Sequence, residues 1–286
     1  MIGCFGKLPS SADFVSLHGA AEEVCEFDAW LQSALAAMRH REDWQALFDA
    51  LPMCFFNYRA SNGNWLLGGL LSSRDASQRR YPFFIFQLLK GEGATMLVNP
   101  FTLGELFSAQ IKPMLHQAVQ GADCASLFER IKALRPLQAQ DLDLFRQVHA
   151  KFLKDFSLAD VARALLRSWP DFKSDKALAL LQASRAVLHN DFAGGIELPL
   201  PAERGLKNPT ADLWLTWLTR MSRQPGRAGG EPAGRRLHET TAVLPAVAPR
   251  QLCLPPAQWL RRSRSASGAA RPADGSATAA RLRPIS

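Results

Sequence analysis

The sequence predicts a protein of the mixed α and β class (α+β), in which a sheet comes before a run of helices. Two apolar runs flank a turn at Asn62-Gly63, which is typical of a β-hairpin. Apolar residues recur at three- and four-residue steps over 22–39 and again from about 99, which predicts amphipathic helices. The composition then changes near Arg223. These observations indicate one folded body and a separate tail.

The body is expected over residues 1–222, with its sheet-forming part at about 1–98 and its mainly helical part at about 99–222. The predicted strands are residues 2–8, 53–59, 65–71 and 81–89. The last two runs are apolar on both alternating sides, so both faces of the sheet should be covered. Pro82 lacks an amide donor and should lie at the start or the edge of its strand.

Helices are predicted from periodicity and from capping signals. Thr102–Glu105 and Ser157–Asp160 match the pattern of a capping box at a helix N-terminus. A further strand, interrupted at a glycine pair, is predicted over 192–200. The predicted helices are 22–39, about 44–48, 99 onward, 124–134, 141–153, 158–168, 175–190 and 209–222.

Residues 223–286 form a basic segment of low complexity. They contain 11 Arg, no Lys and 3 acidic residues, an excess that equals the +8 formal charge of the whole chain. Such a composition buries too little apolar area to offset the entropy of ordering, so a disordered tail is predicted. Two hypotheses for its origin stay open: out-of-frame translation of a GC-rich gene, or a natural basic tail that contacts a membrane or an acidic partner.

Several classes of protein are disfavoured by the remaining patterns. The body carries 23 basic and 23 acidic residues, so nothing indicates nucleic acid as a partner. No apolar run is long enough for a membrane helix, and no signal peptide is visible, which favours a cytoplasmic location. Five scattered cysteines indicate buried free thiols rather than disulfides or a zinc site.

No cofactor is expected. The Gly3-x-x-Gly6-Lys7 run is too short for a phosphate-binding loop, and Leu8 follows the lysine where a hydroxyl is needed. The six histidines are far apart and give no metal-binding spacing. No G-x-S-x-G motif is present to anchor a hydrolase triad.

Polar residues flanked by aromatics are the candidate functional residues. They allow three readings: carboxylates that fix loops by pairing with arginine, a partner-binding surface, or half of an acid/base site. The first reading is favoured, because Asp75 and Arg79 are close enough in sequence for a pair within one loop. The residues concerned are Asp13, Asp28, Asp75, Arg79 and Arg80.

Taken together, four motifs resemble the TagF family, also called ImpM, of type VI secretion accessory proteins. The motifs are Gly6-Lys7-Leu8-Pro9 with Asp13-Phe14-Val15, Phe27-Asp28-Ala29-Trp30-Leu31-Gln32, the hairpin around Gly63 and Trp65, and Asp75 with Arg79-Arg80-Tyr81-Pro82. The resemblance is good over about 1–90, thinner over 91–222 and absent beyond. Ala12 and Gln78 stand where the family tends to have glycine, which leaves the geometry of both loops open.

The resemblance implies an antiparallel sheet flanked by helices, similar to longin-type domains, with a helical extension. It also implies a non-enzymatic cytoplasmic repressor that acts after translation by binding a forkhead-associated scaffold protein of the secretion system. Some relatives are fused to a protein phosphatase, which links the family to a phosphatase and kinase pathway. The family-signature residues that become candidates for interaction are Lys7, Pro9, Asp13, Phe14, Asp28, Trp30, Trp65, Asp75, Arg79, Arg80, Tyr81 and Pro82.

Two alternatives to the repressor stay open. One is a structural adaptor of the secretion apparatus, which would use the same surface to hold components together. The other is a small hydrolase or transferase that uses Asp13, Asp75, and Arg79 or Arg80.

Overall fold

The computed structural model of the protein describes residues 1–91, 99–168, 170, 173, 196–223, 241–245 and 251–254. Within these ranges the strands are β1 (Ile2–Gly6), β2 (Val15–Leu17), β3 (Cys54–Arg59), β4 (Trp65–Leu71), β5 (Phe83–Leu89), β6 (Ile196–Pro199), β7 (Thr241–Pro245) and β8 (Gln251–Leu254). The helices are α1 (Glu22–Arg39), α2 (Trp44–Asp49), α3 (Pro100–Val119), α4 (Cys124–Lys132), α5 (Ala139–Asp155), α6 (Leu158–Ser168) and α7 (Arg204–Arg223).

All the strands belong to one antiparallel sheet with the order β2-β1-β5-β4-β3-β7-β8-β6. This architecture confirms the predicted α+β class with an antiparallel sheet. The hairpin predicted around Asn62-Gly63 is confirmed as β3 and β4, which pair from Cys54 with Leu70 to Arg59 with Trp65. The likeness to longin-type domains stays a prediction.

The sheet is covered on both faces, as the apolar runs predict. Phe84 and Phe86 of β5 pack in a core with α1, whereas Phe83 and Ile85 of the same strand pack in a second core with α3 and α4. Every residue of β5 is buried because its alternating side chains enter the two cores in turn. Burial of each phenylalanine contributes about 1.5–3 kcal/mol, so this central strand anchors both layers.

Helix α1 is held to the hairpin by a carboxylate that sequence reasoning did not single out. Glu26 accepts hydrogen bonds from the Tyr58 hydroxyl, from the Ser61 amide at 3.0 Å, and from the Ser61 hydroxyl at 2.7 Å. Phe27 of the same helix stacks on Phe56 with 4.4 Å between ring centroids. These contacts fix the height of α1 over the sheet and therefore the position of Asp28.

The predicted capping box at Thr102–Glu105 is wrong. Helix α3 begins at Pro100, and Thr102 lies inside its first turn. The amides of Phe101 and Thr102 donate instead to Asp212 of α7, at 2.9 and 2.8 Å. A carboxylate from another helix satisfies the free amides of the first turn, so a local sequence pattern could not identify the cap.

The capping box at Ser157–Asp160 is present. The Ser157 amide donates to Asp160 Oδ2 at 2.8 Å, and the Asp160 amide lies 3.3 Å from Ser157 Oγ. Helix α6 starts directly after this serine, as predicted. Here both partners belong to the same turn, which is the reason why the sequence alone could locate it.

Part of the predicted disordered tail forms strands. The backbone of β7 pairs with β3, from Cys54 with Pro245 to Tyr58 with Thr241, and β8 joins β7 to β6. For these nine residues the prediction of disorder is wrong. The average composition of 223–286 hid two short aliphatic runs, Thr-Ala-Val-Leu-Pro and Gln-Leu-Cys-Leu, that suit a strand.

Other boundaries differ from the predictions by a few residues. Helix α7 begins at Arg204, five residues before the predicted start, and encloses Pro209. Strand β2 was not predicted, because three residues give too short a pattern. The predicted helix at 175–190, and the part of the predicted strand 192–200 that precedes Ile196, lie outside the described residues. Within the described ranges, no helix has both the length and the apolarity required to cross a membrane.

Candidate functional site

Two loops meet at one end of the sheet, and we call residues 7–14 and 72–82 the two-loop platform. The first loop leaves β1 and the second enters β5, and these strands pair from Ile2 to Gly6. Gly6 has a φ of 134°, and a Cβ at this position would lie 2.2 Å from the Pro82 carbonyl oxygen. Glycine is therefore required for the close approach of the two loops.

A buried ion pair joins the loops. Lys7 Nζ lies 2.7 Å from Asp75 Oδ2, and Arg79 Nε donates to the same oxygen at 2.6 Å. The Arg79 amide donates to Asp75 Oδ1 at 2.8 Å. The Asp75 side chain has no exposure to solvent, and the Lys7 side chain is 8% exposed. Charge-assisted hydrogen bonds in such a site hold both loops in one arrangement.

The surroundings of Asp75 decide its protonation. Burial by itself would raise the pKa of this carboxyl, but the hydrogen bonds from Lys7 and Arg79 outweigh burial and hold the pKa well below its usual range. Asp75 is therefore ionised at neutral pH. Two cations compensate its negative charge. Lys7 is buried, and Arg79 is partly exposed to solvent.

Arg79 also reaches across to the first loop. Its Nη2 donates to the Ala12 carbonyl oxygen and lies 3.8 Å from Asp13 Oδ1. The Ala76 amide donates to the Ser11 carbonyl oxygen at 2.9 Å, which adds a backbone bond between the loops. The Arg79 side chain remains 57% exposed. It therefore fixes the platform while presenting charge to solvent.

Phe14 belongs to the first loop of the platform, and its ring packs against the rings of Phe5 and Tyr81. Its ring stacks on Phe5 with 5.2 Å between centroids and meets the edge of Tyr81 at 5.0 Å. Lys7 Nζ lies 5.1 Å from the centroid of the same ring. Aromatic pairs and cation–π contacts each contribute about 0.5–1.5 kcal/mol, so the ring is held in one orientation.

Tyr81 connects the platform to helix α1. Its hydroxyl donates to Asp28 Oδ1, and Gln32 Nε2 donates to Asp28 Oδ2 at 2.6 Å. Burial and the neighbouring Asp28 carboxylate raise the pKa of Tyr81, so its hydroxyl keeps its proton at physiological pH. The tyrosine is therefore a hydrogen-bond donor that fixes α1 beside the loops.

Arg80 belongs to a second, more exposed cluster. Its Nε and Nη2 donate to Asp49 Oδ1 and Oδ2 at 2.9 and 2.8 Å, and Arg74 donates to Asp49 Oδ2 as well. The Trp44 ring lies 5.8 Å from the Arg80 guanidinium. The hydrogen bonds of Arg80 lower the pKa of Asp49 most strongly. This cluster attaches the second loop to α2.

The positions that depart from the family pattern differ from each other. Gln78 adopts a φ of 62°, the left-handed conformation that glycine favours, whereas Ala12 does not adopt a positive φ. The Gln78 amide donates to the Asp75 carbonyl oxygen at 2.9 Å, which closes the turn. The second loop thus keeps the left-handed geometry without its glycine, and the first loop does not need it.

Of the remaining signature residues, the two prolines lie in the platform and the two tryptophans lie outside it. Pro9 is exposed on the first loop, and Pro82 is buried directly before β5, at a strand start as predicted. Trp30 lies on α1 and packs half-buried against Phe27. Trp65 lies at the opposite end of β4, half-buried against a small core that contains Leu67. Neither tryptophan belongs to the platform.

Sequence reasoning missed three residues of the site, Phe5, Asp49 and Arg74. Phe5 supplies the stacking surface for Phe14, and Asp49 binds both arginines of the second cluster. The alternation of Phe5 in β1 predicts the face of the strand on which it lies, but not its contact with Phe14. Asp49 gives no such signal, because it is 31 residues away from Arg80 and lies at the end of a short helix.

The cysteine prediction holds in part. Cys4, Cys25, Cys54 and Cys124 are free, but Cys25 is exposed and Cys124 is half-buried. Burial raises the pKa of the Cys4 thiol to about 12, so this thiol is inert at neutral pH. Within the part of the chain that the structure describes, no three side chains of the metal-binding types are grouped to hold an ion.

One part of the chain matches a known protein family. Residues 3–134 match a domain described as type VI secretion system-associated. The domain is the TagF N-terminal domain, and the resemblance to the TagF family is confirmed over these residues. Both loops of the platform lie inside the match.

Among solved structures, the protein PA0076 from Pseudomonas aeruginosa PAO1 is similar to this chain. The two are 22% identical, with a TM-score of 0.41, and the alignment covers 48% of this chain and 64% of the other. The chain therefore matches slightly less than two thirds of the length of PA0076. No curated protein matches the chain.

Proposed function

We propose that this protein is a cytoplasmic, non-enzymatic repressor of a type VI secretion system. It acts after translation by binding a forkhead-associated scaffold protein of that system. The observation that carries the proposal is the match of residues 3–134 to the TagF N-terminal domain, because that match encloses the whole two-loop platform. The partner and the repression come from the family resemblance of the signature motifs.

The contacts of the platform favour binding over catalysis. Asp75 is withdrawn from solvent, and its oxygens accept bonds from Lys7 and from Arg79. Arg80 is bound by both oxygens of Asp49. A general base must reach the proton that it abstracts, and a group committed in this way serves the shape of a surface instead. This arrangement supports a non-enzymatic role rather than the hydrolase alternative.

A binding titration and a secretion assay test the proposal. The full-length protein is mixed with the purified forkhead-associated scaffold that is encoded beside it, and complex formation is measured by isothermal titration calorimetry. In parallel, the protein is overproduced in cells, and secretion of a type VI substrate is followed. We expect a saturable complex, and loss of secretion at unchanged levels of the scaffold.

Two results would contradict the proposal. The first is that the protein binds components of the secretion baseplate but not the scaffold, and that deletion of its gene abolishes secretion. This result would support the alternative of a structural adaptor. Saturable turnover of a phosphate or carboxylic ester, abolished by Asp13→Ala, would instead support the enzyme. Asp13 suits this control because its side chain is 95% exposed, so the substitution leaves the fold intact.

A further inference from the structure

The signature residues of the platform separate into a buried support and an exposed top. Lys7, Asp75, Tyr81 and Pro82 are buried and hold the loops together. The Phe14 residue is 46% exposed. Within residues 1–91, Met1 and Phe14 are the large apolar residues exposed to this degree. The buried set positions one aromatic ring at the surface.

The Phe14 ring is exposed, yet three neighbouring side chains contact it and restrict its orientation. Phe5 lies under one face, Tyr81 meets it edge-on, and Lys7 holds its charge near the ring. An exposed phenylalanine in a loop normally samples several rotamers, and binding then costs conformational entropy to immobilise its ring. At Phe14 the neighbouring side chains already restrict the ring in the free protein, so binding loses less conformational entropy. Phenylalanine is enriched in the apolar centre of protein–protein interfaces.

Charges of opposite sign lie beside the ring. The Asp13 side chain is 95% exposed, and the Arg79 side chain is 57% exposed and lies 3.8 Å from it. Arg79 is fixed by Asp75 and by the Ala12 carbonyl oxygen, so its position is defined as well. An apolar centre with a polar, charge-bearing rim is the arrangement of a protein–protein interface.

We infer that Phe14 is the anchor of the scaffold-binding surface. It inserts into an apolar pocket of a folded protein whose rim presents a basic group to Asp13 and an acidic group to Arg79. This inference rests on the proposed function and adds the site at which the complex forms. Balanced charges give no attraction for nucleic acid, and an exposed carboxylate next to the ring opposes insertion into an anionic bilayer.

The test compares single variants in titrations against the purified forkhead-associated scaffold. Phe14→Ala removes the anchor, and Asp13→Lys reverses one charge of the rim. Leu144→Ala is the matched control, because Leu144 is an exposed apolar residue of α5 outside the platform. We expect Phe14→Ala to weaken binding by about 30-fold or more, mainly through faster dissociation. We expect Asp13→Lys to weaken it several-fold, and Leu144→Ala to leave it unchanged.

Each outcome has one meaning. If the wild-type protein does not bind the scaffold, the proposed function fails and the inference fails with it. If the wild type binds and both platform variants bind equally well, only the inference is overturned. A loss confined to Leu144→Ala would place the contact on the helices. Asp13→Lys keeps the test decisive if Phe14→Ala lowers the Tm, because a side chain so exposed does not support the fold.

Self-association is measured with the same proteins. Light scattering after gel filtration reports the mass of the wild type and of Phe14→Ala over a range of concentrations. A wild-type dimer that Phe14→Ala dissociates, with unchanged affinity for the scaffold, would assign the ring to a contact between copies of this chain. That result would overturn the inference.

Discussion

Asp75 and Asp212 are two buried carboxyl groups whose pKa values move in opposite directions. Asp75 lies in the two-loop platform, between Lys7 and Arg79, and these partners hold its pKa below the usual range despite burial. Asp212 lies on α7 and contacts the start of α3, where burial raises its pKa to about 7. The bonds that Asp212 accepts from Thr102 and Phe101 counteract the rise only in part.

The difference shows what a buried charge requires. Both groups accept three or more hydrogen bonds of good length, so the number of bonds does not separate them. Asp75 has cations as partners, whereas the donors to Asp212 are two neutral amides and a hydroxyl. Burial removes the favourable interaction of a carboxylate with water. Hydrogen bonds from neutral groups offset only part of this loss of free energy, and a nearby positive charge offsets more.

The largest effect is expected from Asp75→Ala. This change leaves Lys7 buried and without its counter-charge, and removal of one member of a buried pair is strongly destabilising. We expect the Tm to fall on the order of 10 °C, measured by differential scanning calorimetry. The double variant Lys7→Met with Asp75→Leu should recover most of the loss, since an apolar pair needs no compensation. Equal losses in the single and double variants would contradict this view of the pair.

Asp212→Ala is expected to come second. The amides of Phe101 and Thr102 lose their acceptor at the N-terminus of α3, inside the protein. A lost cap of this kind costs about 2 kcal/mol in the free energy of unfolding, measured by urea denaturation. Ser157→Ala is the control, because it removes an exposed cap and should cost less, about 1 kcal/mol. A smaller loss for Asp212→Ala than for Ser157→Ala would argue against tertiary capping.

The pH dependence of stability should distinguish the two carboxyl groups. The folded-state pKa of Asp212 lies above its unfolded value of about 3.9, so the folded state binds more protons between pH 4 and pH 7. Its contribution is therefore complete below pH 4 and is lost as the pH rises through 7. Asp75 has the opposite sign, and its contribution is lost only in acid, below pH 4.

We expect the wild type to lose about 2 kcal/mol of stability between pH 5 and pH 7 relative to Asp212→Asn, which cannot titrate. Urea denaturation at both pH values measures the difference. His149, whose pKa is lowered by burial, contributes a slope of the opposite sign in both proteins. The comparison with the variant removes that slope. Identical pH profiles would show that Asp212 stays ionised throughout.

Asp49→Ala extends the comparison to an exposed carboxylate. Asp49 binds Arg74 and Arg80 as Asp75 binds Lys7 and Arg79, but its side chain is 32% exposed. Water can replace the lost partner, so we expect a loss of only about 0.5–1 kcal/mol, which 0.5 M NaCl should reduce further. A loss as large as that of Asp75→Ala would mean that burial is not the deciding factor.

The smallest effect is expected from Gln78→Gly. The left-handed backbone at Gln78 costs a residue with a Cβ about 1 kcal/mol, so glycine should stabilise the protein by up to about this amount. Ala12→Gly is the matched control in the other loop. Ala12 has no positive φ, and glycine there should destabilise slightly because it adds entropy to the unfolded chain. Equal shifts in Tm for the two variants would contradict this.

The sequence predicted those parts of the structure that depend on neighbouring residues. The limits of α1, the hairpin of β3 and β4, and the capping box of Ser157 and Asp160 follow from periodicity and turn chemistry over a few positions. The pairing of Asp75 with Arg79 was predicted for the same reason, as the two lie four residues apart.

The parts that were missed depend on residues far apart in the chain. Asp212 caps a helix from 110 residues away, and Lys7 reaches Asp75 across 68 residues. No local pattern marks such a partner. The strands β7 and β8 were missed for another reason: a prediction from the mean composition of 64 residues cannot resolve segments of four or five.

Strand β7 has a protective consequence for the whole molecule. It occupies the side of β3 that faces away from β4, in register from Cys54 to Tyr58. Loss of this strand would uncover the amides and carbonyls of β3, which could then recruit a strand from another molecule. Strand β7 belongs to the segment that the composition predicts to be disordered. By covering β3, it protects the sheet from pairing with other molecules.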